Sequence, residues 1–155
     1  MQTGRMVGVA LLALGLMGAP VAAQGTDDCE IAEAGFLDGK RQIKINAYVA
    51  DTRADIGGGG MRKHLPLPAG VGILVVYNRV INLDSPGNDT GYPVDMLHFD
   101  YYGNLIKGLG NADNRKYAPI NNVAYMFIMA GGQADAYKMT TQLRLTYWDC
   151  LRYAN

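Results

Sequence analysis

From Gln42 onward, apolar and polar residues alternate with a period of two. Ile43, Ile45, Ala47 and Val49 fall on one side, and Gln42, Lys44, Asn46 and Tyr48 on the other, which is the pattern of a strand with one face buried. Val71 to Val80 is denser in apolar residues and predicts a central strand covered on both faces. Leu97, Phe99 and Tyr101 alternate with Met96, His98 and Asp100. Tyr102-Gly103-Asn104 then predicts a turn, with Leu105-Ile106-Lys107 returning as a short partner. Val123, Tyr125, Phe127 and Met129 carry a further strand, ended by Gly131-Gly132. The last strand is the clearest: Met139, Thr141, Leu143, Leu145 and Tyr147 oppose Thr140, Gln142, Arg144 and Thr146.

Ahead of these strands, residues 24–40 read as a polar lead-in. Asp27 or Asp28 is placed to cap a short helix through Cys29 to Ala34, with Gly35 as its stop. The strands and the 20 glycines, most of them between strands, predict a mainly β fold. The expected architecture is an antiparallel β-sandwich or barrel of about six strands with a short N-terminal helix or coil.

The N-terminus has a different pattern. Arg5 precedes the apolar run Met6 to Met17, and Val21-Ala22-Ala23 offers small residues before Gln24. Residues 1–23 are therefore expected to be a cleaved signal peptide, and 24–155 a single exported β-rich domain. The apolar run would rise about 18 Å as a helix against roughly 30 Å of hydrocarbon, so no permanent membrane span is expected after cleavage.

Two cysteines, Cys29 and Cys150, lie near the ends of the expected mature chain. In an oxidising compartment an intramolecular disulfide is the expected state; an intermolecular bridge or two free thiols are the alternatives. The intramolecular bond would tie the lead-in to the last strand. In the chain-entropy view a loop of this length is worth about 4–5 kcal/mol.

Charge narrows the partners. The chain has 14 basic and 14 acidic residues, with no basic cluster longer than Arg62-Lys63-His64, which argues against nucleic acid and against an anionic membrane surface. Catalytic inventory is sparse as well. The single serine, Ser85, lies in turn composition, and the only glutamates, Glu30 and Glu33, belong to the lead-in. Neither a serine nucleophile nor a two-carboxylate glycosidase fits, and no cofactor is expected. His98 and Asp100, joined by His64, are the weak candidates for a transition-metal site.

Two connections are long, Asp51 to Gly70 and Asn82 to Pro93. The first, with Gly57 to Gly60 and Pro66 and Pro68, is expected to be a mobile loop outside the core. Its tip, Met61, Arg62, Lys63 and His64, is the candidate binding loop. The expected function is a non-catalytic domain acting through a protein partner in the periplasm or outside the cell. It would serve as an accessory subunit of an envelope or extracellular assembly, or as an inhibitor of an exported enzyme. Ten tyrosines fit an interface of that kind. The alternative is a β-barrel carrier for a small ligand or a metal.

Overall fold

The alternating segments form one mixed sheet. In the computed structural model the described residues are 22–23, 29–51, 56, 60–84, 90–112 and 117–151. The strands are β1 (Ala22–Ala23), β2 (Ile31–Asp38), β3 (Arg41–Ala50), β4 (Val71–Leu83), β5 (Val94–Phe99), β6 (Leu105–Ala112), β7 (Ile120–Ala130) and β8 (Leu143–Cys150). Their order across the sheet is β1-β8-β2-β3-β4-β7-β5-β6.

A mainly β fold is what the alternation predicts, and the Cys29–Cys150 disulfide joins the N-terminal region to the last strand. The bond fits a chain that folds outside the reducing cytosol. Among the described residues no helix is long and apolar enough to cross a membrane.

Two local expectations change. The helix expected through Cys29 to Ala34 is strand β2 from Ile31 on, and only Cys29 and Glu30 remain as coil. Alanine and glutamate favour helix locally, but β2 runs between β3 and β8 and buries Ala32, Ala34 and Phe36 in the interior. Tertiary burial outweighs a propensity difference of a few tenths of a kcal/mol per residue. Gly35 is no helix stop; it lies under the ring of Tyr147, where an added Cβ would stand 2.1 Å from the ring.

The second change is that the sheet is not all antiparallel. β3 and β4 pair in parallel, Asn46 to Val71 through Ala50 to Val75. Parallel neighbours cannot be joined by a hairpin and need a crossover, which accounts for the length of the connection from Asp51 to Gly70. Its described part is packed against the sheet. The 3-10 turn Gly60–His64 brings Met61 onto the outer face, Leu65 packs beside it, and Leu67 is buried. The expected mobile loop is therefore, over residues 60–70, a cover for the outer face of the sheet. Residues 52–55 and 57–59, with most of the glycine run, lie outside the described residues.

Both faces of the central strands are covered. The inner face gathers Phe36, Leu74, Leu97, Phe99, Phe127, Leu145 and Trp148 into the main core. The outer face gathers Ile73, Val75, Met96, Met126 and Ile128 beneath the crossover.

The sheet curls far enough to meet itself. Phe36 of β2 and Phe99 of β5 are several strands apart in the order, yet their ring centroids are 5.9 Å apart. At the seam Leu145 N–H donates to the Gly103 carbonyl at 2.8 Å, and Asn104 and Arg144 form an antiparallel bridge. β8 also carries one extra residue opposite Gly35 and Phe36. That bulge turns Trp148 inward, fully buried, and leaves Tyr147 on the half-buried side.

Candidate functional site

Beyond the bridge at Asn104, β6 is the far edge of the sheet. Its residues from Ile106 to Gly110 are exposed except Leu109. Gly108 and Gly110 face inward without side chains, against Leu97 and Asp95. An open cleft of about 510 Å³ separates this edge from the segment after β7, lined by Leu97, Leu105, Ala134, Met139, Thr141 and Leu143 among others. On the other side of β6 a second cleft, about 710 Å³, reaches Tyr117, Pro119 and Ile120. A strand edge with a cleft on each side offers N–H and C=O groups to an extended segment.

Asp95 holds the deep end of the first cleft together. Its side chain is buried at 1 % exposure. Oδ1 accepts from Asn111 N–H (2.8 Å) and Gly132 N–H (3.1 Å), and Oδ2 from Ala134 N–H (2.7 Å). One carboxylate thus fixes the end of β6, the glycine turn after β7 and the start of the short helix Gln133–Ala136. With both oxygens engaged it anchors these three segments to one another.

The opposite end is held by Asp38. Thr140 donates to it from both its backbone N–H and its hydroxyl, and Arg41 forms an ion pair at 2.9 Å. Burial works against the Asp38 charge, but the Thr140 and Arg41 hydrogen bonds outweigh it and hold the carboxyl below its ordinary range.

At the head of β6 the turn is built by Asp100. Its carboxylate accepts from Tyr102 N–H (2.9 Å), Asn104 N–H (2.8 Å) and Asn104 Nδ2 (3.0 Å), an Asx-type arrangement. The turn holds out Tyr101 and Tyr102, each 51 % exposed, with rings edge to face at 5.6 Å.

The residues singled out in the sequence are dispersed. His98 is fully buried on the outer face, Asp100 is committed to its turn, and His64 stacks on Tyr48 with ring centroids 3.7 Å apart. Among the described residues no three histidine, cysteine or acidic side chains stand together as a metal site. Of the candidate loop, Met61 packs on the sheet and Arg62 and Lys63 are exposed. The start of β6 is the short partner that Leu105-Ile106-Lys107 predicts; its continuation to Ala112 was hidden because Gly108 and Gly110 break the alternation that marks a strand.

No known protein family matches the chain, and no curated protein matches it in sequence. Two solved structures resemble it. One is a candidate transcription regulator from Sinorhizobium meliloti 1021, with a TM-score of 0.63 and 18 % identity, covering 74 % of this chain and 92 % of that one. The other is a protein of unknown function from Novosphingobium aromaticivorans DSM 12444, with a TM-score of 0.61 and 15 % identity, covering 83 % and 92 %. At these identities the likeness is one of fold.

Proposed function

We propose that the chain is a non-catalytic exported domain that works by protein–protein contact in the periplasm or outside the cell. Its contact surface would be the β6 edge with the Tyr101–Tyr102 turn at its head. One observation carries this reading: among the described residues, large aromatic side chains occupy the interior while the β6 edge is open. Phe36, Phe99, Phe127 and Trp148 are at most 1 % exposed. The clefts beside β6 lie at the surface and are not an enclosed chamber of the kind a carrier uses. Exposed tyrosines beside a free strand edge are the groups that protein interfaces favour. The regulator's description belongs to that protein; 14 basic against 14 acidic residues here gives no electrostatic footing for nucleic acid.

The test is affinity purification of the native protein from its own envelope fraction, in parallel with a Tyr101→Ala/Tyr102→Ala variant. A stoichiometric protein captured by the native chain and lost with the variant supports the proposal. A co-purifying organic molecule with no protein partner would favour the carrier instead.

A further inference from the structure

His98 is the one histidine within the folded interior, at 0 % exposure. Its Nδ1 lies 3.2 Å from the Lys107 carbonyl oxygen of β6. A carbonyl only accepts, so Nδ1 carries the proton and donates, which leaves Nε2 as a bare lone pair. That nitrogen is buried with no hydrogen-bond partner. A buried acceptor left this way costs about 1–3 kcal/mol and calls for an explanation.

The neighbours supply one. His98 stands directly opposite Met126 of β7, and Met96 lies two residues back on the same face of β5. Directly opposite residues have Cβ atoms about 4.5–5.5 Å apart, within reach of one atom held between their side chains. The two nitrogens of an imidazole diverge. A ring that reaches β6 through Nδ1 therefore turns Nε2 away from that carbonyl. Met96 and Met126 are both buried residues, each 6 % exposed.

We propose that His98, Met96 and Met126 form a binding site for a soft monovalent metal ion, Cu(I). The donor set selects the ion. Thioether sulfur and neutral imidazole are soft or borderline ligands that suit Cu(I). No carboxylate joins them: Asp95 is spent on three backbone N–H groups and Asp100 on its turn. Three neutral donors leave a divalent ion such as Zn(II) uncompensated in a dry site, whereas a single charge is more readily carried. Both cysteines are in the disulfide, and a thiol-free soft site survives where thiols oxidise.

The experiment is anaerobic titration of the oxidised native chain with Cu(I) against a chromogenic Cu(I) chelator. One ion per chain is expected, with no comparable uptake of Zn(II). His98→Phe should weaken binding by more than the roughly 10–100-fold that loss of an outer-shell partner costs. Met126→Leu and Met96→Leu, which keep volume and apolarity, should each weaken it about tenfold or more. X-ray absorption of the loaded protein should show one nitrogen and two sulfur neighbours. Failure of the native chain to take Cu(I) from the chelator, unchanged affinity in the two methionine variants, or a sulfur-free absorption spectrum overturns the proposal. Should His98→Phe fail to fold, the methionine variants and the spectrum decide.

Discussion

Gly72 lies beneath Phe127: a Cβ built at Gly72 would stand 2.3 Å from Cζ of that ring and 3.0 Å from the Ile128 carbonyl oxygen. The two residues belong to the paired strands β4 and β7 at the centre of the sheet. Phe127 is fully buried and packs edge to face on Phe36 at 4.9 Å, so the ring has nowhere to retreat. Gly72→Ala should destabilise the fold by about 1–3 kcal/mol, as overpacking typically does. Urea unfolding checks this, and the midpoint should fall with little change in slope.

Acid should weaken the fold in two stages. Burial lowers the His98 pKa below its ordinary 6.5, so between that value and the lower folded one the unfolded chain binds a proton that the native chain does not. The His98 contribution is complete above pH 6.5 and is lost as pH falls, at up to about 1.4 kcal/mol per pH unit. In His98→Phe that first stage should vanish. Asp38 acts later: its carboxyl is held below 3.8, so its contribution is present above that value and lost as pH drops through the folded pKa. Unfolding curves at pH 7.5, 6 and 5 isolate the histidine stage from the carboxylates.

Removing the Asp95 carboxylate should loosen one end of the cleft. Asp95→Ala leaves Asn111, Gly132 and Ala134 N–H groups without their acceptor, a loss of about 2–4 kcal/mol. Hydrogen exchange should accelerate at these three amides first, while the amides of β2 and β3 stay protected.

Reduction of Cys29–Cys150, which spans 121 residues, should lower stability by about 4–5 kcal/mol in the chain-entropy view. Thiol titration of protein purified without reductant should find none free, and Cys29→Ser/Cys150→Ser should reproduce the stability of the reduced chain.

How much of this could be read from the residues depends on what each feature rests on. The strand around Ile43–Val49 was legible because a half-buried strand writes its own period of two; those at Leu97–Phe99 and Val123–Met129, buried on both faces, were legible from their large apolar and aromatic residues at alternate positions. The parallel pairing of β3 and β4 was not, since nothing in either strand specifies its neighbour; the long connection at Asp51–Gly70 was the trace of it, and reads equally as a loose loop. β2 was obscured by Ala32, Glu33 and Ala34, whose local preference opposes their place in the sheet. Trp148 points inward through a bulge set by its partner β2, which the sequence of β8 alone does not carry. The burial of His98 was not legible, because the alternation of Leu97 and Phe99 with Met96 and His98 does not say that both faces of β5 are covered.

The place of the last strand has a consequence for the order of events in the life of the chain. β8 lies beside β2, and its Leu143, Leu145 and Trp148 complete the interior that Phe36 begins. That interior closes only when the long loop joining the two strands is spanned. Until β8 is in place the sheet lacks the strand that fills its core, so the interior of the sheet is completed by one pairing between segments distant in sequence.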